Sequence, residues 1–323
     1  MKLGLREWLA LTFVVLVCLF AGLKDPRFFG PKSIDSILLW LPLITVVAMG
    51  EMLVIVTREI DISVGSMLGF TGIAVGLMFK ANPHLSVPVA ILAGLGVGLL
   101  LGFVNGALVT WGKISSLIVT IGTLAGFRGL SFLVSKGDEI DSSMVPDSLT
   151  SLSTKGIHVG HVTISVLLII ALVVAVITAL FLRFARLGRD IYAMGNNPQA
   201  AYLRGISPNK ITMFVFCVAG ALGGLAGVMY AARFGFVNPG SAGQGFELTV
   251  IAAVAIGGVK LMGGSGSVFG VLMGCLLLSC INVALSVLGI DANWQLLAYG
   301  LVILAAILLD AMATKWHTRK AAA

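Results

Sequence analysis

Long apolar runs, separated by short polar or glycine-rich stretches, recur from one end of the sequence to the other. A helix crosses the hydrocarbon core of a bilayer with about 20 predominantly apolar residues. The pattern therefore predicts an all-α, polytopic membrane protein with about ten transmembrane helices. The run at 248–259 is too short to cross alone, so it either begins earlier, near Phe246, or is a broken helix. The predicted spans are residues 8–23, 38–57, 62–79, 87–109, 116–134, 162–182, 212–232, 248–259, 268–288 and 294–312.

Composition and charge agree with a membrane location. Hydrophobic residues make up 58% of the chain and charged residues 11%, against about 25% charged in a typical soluble domain. Cytoplasmic loops are enriched in Lys and Arg, and thirteen of the 21 basic residues fall on the side predicted to hold both termini. Both termini are therefore predicted to be cytoplasmic, and the net charge of +7 is a topology signal rather than a nucleic-acid-binding surface. Residues 1–323 are predicted to form a single transmembrane domain.

No catalytic or metal-binding pattern is found in the sequence. The four cysteines lie inside apolar spans, at spacings that suit neither a metal site nor a disulfide framework. No predicted span has a histidine at depth, HExxH is absent, and no GxxxxGK[ST] motif is present to cradle nucleotide phosphates. We therefore expect no enzyme activity, no metal and no cofactor on this chain. Any energy from ATP must come from a partner.

A few polar side chains are predicted to lie within the spans. A charge at the bilayer centre costs about 2.5–3.5 kcal/mol on insertion scales, so an intramembrane charge is a candidate functional residue. Glu51 and Arg128 are such charges, and Asn105 and Asn282 are uncharged but polar. These four are the candidate pathway residues. The alternative for each is a hydrogen bond that holds helices together. The cluster at residues 58–61 is predicted to be interfacial.

Glycines recur at four-residue spacing in several spans. This spacing lines one face of a helix with no side chain, so that two backbones can approach closely in lipid. The sequence therefore predicts a tightly packed bundle. The glycines concerned are Gly98, Gly102, Gly106, Gly266, Gly270 and Gly274, with pairs at Gly65 and Gly69, Gly72 and Gly76, Gly122 and Gly126, and Gly220 and Gly224.

Two short stretches are faintly similar to each other. DISVGSMLG at residues 61–69 and MGGSGSVFG at residues 262–270 both place Gly-Ser at the beginning of a span. Transport folds often contain internal repeats. The similarity is a hint of duplication.

One polar block, within residues 183–211, interrupts the apolar pattern near the middle of the chain. By the predicted topology it lies on the cytoplasmic side. Pro198 suits the first turn of a helix capped by Asn196 or Asn197, and Gly205 is a natural C-terminal stop. The block therefore predicts a short helix on the membrane face, which suits docking on a partner.

The same block carries a family resemblance. GRDIYAMGNNPQAAYLRGI resembles the cytoplasmic coupling loop of the ribose-type permeases of bacterial ABC importers, with their version of the EAA motif. Gln199 departs from the pattern, because relatives often have Glu there. Further matches cover about residues 40–310 in family order: TREIDISVGS, GFVNGALV, TIGTLAGFRGL and VAIGGVKLMGGSGSVFGVLMG.

The resemblance implies one subunit of an importer in the bacterial inner membrane. Two permeases, identical or related, would form the pathway, and a cytoplasmic ATPase would bind ATP and Mg²⁺ and contact the coupling helices. A periplasmic binding protein would deliver a monosaccharide, with rhamnose or a sugar-like autoinducer as candidates. The residues that the resemblance assigns to ATPase coupling are Gly188, Arg189, Asn197, Pro198, Gln199, Ala200, Ala201 and Gly205.

Two other classes of function are weighed against this one. An ion-coupled secondary transporter of a small polar solute would place more than one acid at the midplane of the membrane. An intramembrane enzyme would need a catalytic pair, which the sequence lacks. Which sugar is carried, and whether the two permeases are identical, stay open.

Overall fold

The structure is a computed structural model, and it describes residues 5–160, residues 162–291, and positions 294, 297, 300, 301, 304, 305 and 308. Helices dominate these residues. The helices are α1 Leu5–Lys24, α2 Pro31–Val56, α3 Val64–Ala81, α4 Val87–Thr110, α5 Ser116–Ser135, α6 Asp147–Thr154, α7 Val166–Phe184, α8 Arg186–Asn196, α9 Pro198–Leu203, α10 Pro208–Phe234, α11 Phe246–Ile256 and α12 Val268–Val287.

A small sheet departs from the all-α prediction. Strands β1, Gly156–Val159, and β2, Val162–Ser165, pair antiparallel with Gly156 opposite Ser165. The sheet and α6 lie in the hydrophilic connection between α5 and α7. The class is otherwise as predicted, because the rest of the regular structure among the described residues is helical.

Among the described residues, seven helices are long and apolar enough to cross a membrane: α2, α3, α4, α5, α7, α10 and α12. Two more apolar helices are shorter, namely the Ala10–Lys24 part of α1 and α11. The predicted count of about ten is therefore not confirmed. The tenth predicted span, residues 294–312, lies mostly outside the described residues. α11 begins at Phe246, as one of the two readings has it, and its 11 residues extend only about 16 Å.

α2 is the central helix of the bundle. Every residue from Pro42 to Val56 is buried, because this half of α2 packs against α7, α10, α11 and α12. In contrast, a third or less of the membrane-spanning window of α4, α5 and α7 is buried. Among the described residues, the largest core cluster runs along α2 and α10 and includes the inner faces of α3, α7, α11 and α12.

The glycine spacing produces close packing of α4 on α10. A Cβ added at Gly98 would lie 2.1 Å from Gly220 O, and one at Gly224 would lie 2.1 Å from Gly94 O. These helices therefore approach backbone to backbone, as predicted. The prediction is wrong for Gly122 and Gly126 of α5, because nothing lies within 4 Å of either position.

Residues 236–245, between α10 and α11, enter the bundle and lie along α3. A Cβ at Gly69 would lie 2.6 Å from Ala242 O, and one at Gly65 would clash with Gly243 O. Any side chain in place of Gly65 or Gly69 would prevent this close approach of the two backbones. We call residues 236–245 the re-entrant segment.

α2 and α11 end with the same backbone geometry, which extends the faint internal similarity. Each helix is followed by a residue with positive φ, +70° at Arg58 and +85° at Gly258. The next amide then donates to a carbonyl five residues earlier. These bonds are Glu59 N to Val54 O and Val259 N to Val254 O, each 3.2 Å.

Candidate functional site

The polar block folds into α8 and α9, and α9 begins where the sequence predicts. The side chain of Asn197 accepts a hydrogen bond from Ala200 N at 3.1 Å, and Pro198 is the first residue of α9. Asn197 is therefore the N-cap, because its side-chain oxygen satisfies an amide that the first turn leaves unpaired.

The end of α9 is also as predicted. Gly205 has a φ of +81°, and its amide donates to Tyr202 O at 2.9 Å. Ile206 N donates to Ala201 O at 3.1 Å. This pair of bonds is the Schellman motif, which favours glycine in the left-handed position. A helix of only six residues is therefore stopped at both ends by its own sequence.

The outer surface of α9 is apolar and exposed. Tyr202 is 68% exposed and Leu203 is 85% exposed, whereas Ala201 is buried against the rest of the protein. With Pro198, Gln199 and Pro208, these two side chains line a groove of about 400 Å³. Ala200 and Gln199 face outward, so the predicted docking residues divide between an inner and an outer face.

Gly188 and Arg189 lie at the corner between α7 and α8. Gly188 is buried, and a Cβ there would lie 2.4 Å from Phe181 O. Arg189 Nη1 donates to Phe184 O at 3.0 Å, which caps the end of α7. These two residues join α8 to α7, and the rest of α8 separates them from the groove on α9.

The end of α8 is bound to the end of α2. Gly195 lies so close to α2 that a Cβ would stand 1.8 Å from Val56 O. Arg58 donates from Nε to Gly195 O at 2.6 Å and from Nη2 to Asn196 O at 2.7 Å. Sequence reasoning treated Arg58 only as part of an interfacial cluster, because its partners are more than 130 residues away in the chain.

The same end of α8 is bound to the loop between α11 and α12. Asn196 Nδ2 donates to Gly264 O at 3.0 Å, and Tyr192 Oη donates to Gly266 O at 2.9 Å. Gly264 N in turn donates to Val56 O at 2.9 Å. Burial raises the pKa of Tyr192, so its hydroxyl stays a donor. We call residues 56–58, 192–196 and 263–266 the junction.

Glu51 and Asn105 lie in a buried polar network and not on an open face. Glu51 Oε1 accepts from Asp61 N at 3.2 Å, and Asn105 Nδ2 donates to Ser63 Oγ at 2.8 Å. Ser63 Oγ donates to Asp61 Oδ1 at 2.6 Å. All four residues are fully buried. The interfacial prediction for Asp61 is therefore wrong, because the chain after α2 folds back beside Glu51.

Arg128 and Asn282 lie in two other places. Arg128 Nη1 donates to Ala242 O at 2.5 Å and to Pro239 O at 3.4 Å, so it holds the re-entrant segment against α5. Asn282, on α12, lines a cavity of about 290 Å³ beside Trp40. The four candidate pathway residues thus occupy three separate sites. Their assignment to a pathway stays a prediction.

One half-buried acid, Glu247, lies at the edge of a predicted span and is absent from the predicted polar residues. Glu247 is the second residue of α11 and approaches the first turn of α3 at Gly65. Its Oε2 atom is buried and has no hydrogen-bond partner among the described residues. The glutamate at the start of a short apolar run was the signal available in the sequence.

Comparison with known proteins finds relatives over most of the chain. Residues 33–307 match the family described as branched-chain amino acid transport system / permease component. Over 305 residues the chain is 37% identical to the autoinducer 2 import system permease protein LsrC of Escherichia coli, covering 94% of this chain and 86% of the relative. The LsrC protein of Photorhabdus luminescens is 35% identical over 307 residues, with 94% and 89% coverage. No solved structure matches.

Proposed function

Because this chain belongs to the family of branched-chain amino acid transport system permease components, we propose that it is the membrane subunit of an ATP-driven importer for a sugar-like solute. It is a multi-pass protein of the bacterial inner membrane. Relatives that cover 94% of the chain are named autoinducer 2 import permeases. Autoinducer 2 is therefore our first candidate substrate, ahead of rhamnose and other monosaccharides.

We propose a topology of about ten spans with both termini in the cytoplasm. The shorter helices α1 and α11 and the run at residues 294–312 would supply the three spans beyond the seven long ones. The junction and α9 then lie on the cytoplasmic side. Basic residues at this side support the orientation. They include Arg58, Lys113, Arg183, Arg186, Arg189, Arg204, Lys210 and Lys260.

The observation that carries the proposal is the exposed apolar tip of α9. Tyr202 and Leu203 belong to a polar connection between spans, so lipid does not account for their exposure. An exposed apolar patch edged by polar residues is typical of a protein contact. We assign the groove beside Pro208 to a cytoplasmic ATPase that binds ATP and Mg²⁺. A second permease and a periplasmic binding protein complete the importer.

The junction offers a route by which movement of α9 reaches the bundle. The guanidinium of Arg58 joins the last turn of α8 to the end of α2. Asn196 joins the same turn to the loop before α12. A push on α9 from the ATPase would therefore displace the ends of two spans together, because short hydrogen bonds leave little slack between them.

Replacement of Leu203 by glutamate tests the proposal. We expect L203E to weaken binding of the ATPase at least tenfold, because a buried leucine contributes about 1.5–3 kcal/mol and the variant adds a charge. Leu23, at the other end of the protein, is equally exposed at 85%, so L23E is the matched control. ATPase binding to detergent-purified chain is the measurement. Equal binding by L203E and L23E would reject the docking surface.

The ion-coupled transporter remains a second candidate because of one feature. Glu51 and Asp61 are two fully buried acids joined by a hydrogen bond from the Asp61 amide. Uptake into vesicles that contain this chain without any ATPase, driven by a proton or sodium gradient, would favour that candidate. We expect no such uptake.

A further inference from the structure

The re-entrant segment lies deep in the bundle, and its depth can be followed along the chain. Glu51 is five residues before the end of α2, about 8 Å along the helix axis. Asp61 bonds to Glu51, and Gly65 is one helical turn further on. Because Gly243 O contacts Gly65, the segment extends to roughly the middle of the bilayer. The segment enters from the side where α10 ends, and the 11 residues of α11 continue from that depth to the junction on the other side.

Two polar side chains of this segment face outward from the chain. Ser241 and Gln244 are exposed, whereas Ala242 and Gly243, between them in sequence, are buried against α3. Irregular backbone at membrane depth is tolerated where it is buried in protein or lines a water-filled cavity, but not where it meets lipid. The exposed face of the re-entrant segment therefore borders water or the second permease, and not lipid.

Aromatic side chains accompany the two polar groups. Phe132 of α5 is 43% exposed and Phe236 is 42% exposed. The tip of the Phe132 ring lies 3.5 Å from the position that a Cβ of Gly240 would occupy, directly before Ser241. The ring of Phe132 thus borders the segment beside Ser241.

Three charged residues border the segment: Arg128, Glu247, whose Oε2 is buried against Gly65 of α3, and Glu139, which accepts a hydrogen bond from Asn238. The guanidinium of Arg128 is turned toward the carbonyls of Pro239 and Ala242. The Asn238 side chain is likewise occupied, because its Oδ1 accepts from Gly240 N at 2.9 Å. A hydroxyl, a carboxamide and an aromatic ring remain as the groups available to a ligand.

We propose that Ser241, Gln244 and Phe132 form a contact site for the transported solute at the middle of the pathway, and that this solute is a neutral polyhydroxylated molecule. The inference rests on the proposed import function. The serine hydroxyl and the glutamine amide each donate and accept hydrogen bonds, which matches a hydroxyl-rich ligand. The phenylalanine ring covers an apolar C–H face. Binding pockets commonly combine such aromatic walls with a few placed polar groups.

The first test asks whether water reaches positions 241 and 244 in the assembled transporter. In a chain whose four native cysteines are replaced by alanine, Gln244→Cys and Ser241→Cys are labelled with a membrane-impermeant thiol reagent in the assembled transporter. Leu92→Cys, on an exposed face of α4, is the control at a 67% exposed position. We expect labelling of both segment variants and none of the control. Labelling no faster than Leu92→Cys would overturn the proposal.

The second test asks whether the site contacts the solute, in the native-cysteine background. Gln244→Ala and Ser241→Ala are expected to slow uptake of labelled autoinducer 2 into proteoliposomes by about two- to tenfold each, the effect of one lost hydrogen bond. Binding of the ATPase should be unchanged. Ser148→Ala, on exposed α6, is the matched control. Unchanged uptake by both variants would overturn the proposal.

The two tests separate this inference from the proposed function. If the wild-type chain binds no ATPase and imports none of autoinducer 2, rhamnose or ribose, the import function fails, whatever the labelling shows. If the wild type imports and both segment variants import equally well, only the contact site fails.

Discussion

At the scale of single residues, Arg58 combines an unfavourable backbone with favourable side-chain bonds. Its φ of +70° lies in the left-handed region, which costs a non-glycine residue on the order of 1–3 kcal/mol. The guanidinium offsets this cost through two bonds of 2.6 and 2.7 Å to the last turn of α8. Hydrogen bonds with a charged partner contribute about 1.5–3 kcal/mol each. Arg58 therefore links the end of α2 to the end of α8 in the junction.

Loss of the Arg58 side chain should uncouple ATP hydrolysis from transport. We expect Arg58→Ala to lower the amount of solute imported per ATP hydrolysed by about tenfold, because one or more charged bonds are lost. ATPase binding should not change, because α9 is untouched. Arg186→Ala, an exposed arginine at the beginning of α8, is the control. If Arg58→Ala imports as much solute per ATP hydrolysed as the wild type, the proposed role of the junction is contradicted.

Gly195 is the residue at which the junction leaves no space for a side chain. We expect Gly195→Ala to destabilise the protein by about 1–3 kcal/mol, because its Cβ would stand 1.8 Å from Val56 O. Gly126→Ala should be neutral or stabilising, because that helical position is open and alanine is the better helix former. Thermal unfolding of both variants in detergent measures the difference. A Tm for Gly195→Ala at or above that of Gly126→Ala would disprove the tight contact.

At the scale of elements, α9 is too short to be stable by itself. Helices below about 12 residues are marginal in water, and α9 has six. Its order depends on the Asn197 cap, the Schellman turn at Gly205 and the burial of Ala201. α9 therefore stays rigid only while the caps at both of its ends are in place.

Removal of the cap should therefore weaken docking without removing a contact. We expect Asn197→Ala to raise the Kd for the ATPase about fivefold, because loss of an N-cap costs about 1 kcal/mol. Asn197→Ser should restore binding, since serine caps nearly as well. A titration of purified ATPase against the three chains measures this. If serine fails to rescue, Asn197 acts through something other than the cap.

At the scale of the whole molecule, the bundle is arranged around α2 and buries a network of polar side chains beside this helix. Glu51, Asp61 and Asn105 are all fully buried, yet Glu51 Oε2 and Asn105 Oδ1 have no hydrogen-bond partner among the described residues. An importer driven by ATP has no need to move a proton or ion through this network. An ion-coupled transporter would depend on it.

Neutral replacement of Glu51 distinguishes the two mechanisms. Glu51→Gln keeps the oxygen that accepts from Asp61 N and adds a donor in place of Oε2. We expect ATP-driven uptake by this variant within about twofold of wild type, since no ion-binding charge is needed. Glu51→Ala should instead be unstable, because it leaves a cavity and an unpaired amide. Complete loss of uptake in a folded Glu51→Gln protein would favour ion coupling.

The sequence by itself determined the membrane class, most of the long helices, and both ends of α9. These features depend on local properties: apolar runs of about 20 residues, an Asn-Pro start and a glycine stop. It also indicated close backbone packing, because four-residue glycine spacing leaves one face of a helix without side chains, and the structure shows such packing between α4 and α10.

Only the tertiary structure decided which polar residues meet. Val56, Gly195 and Gly264 are distant in sequence, and their contact depends on how the ends of α2 and α8 pack with the loop before α12. The same holds for the burial of Asp61 and for the depth of the re-entrant segment. Where a helix is apolar on all sides, hydrophobic periodicity does not show which face packs against the other helices. Long-range packing of backbones therefore settled what composition and spacing left open.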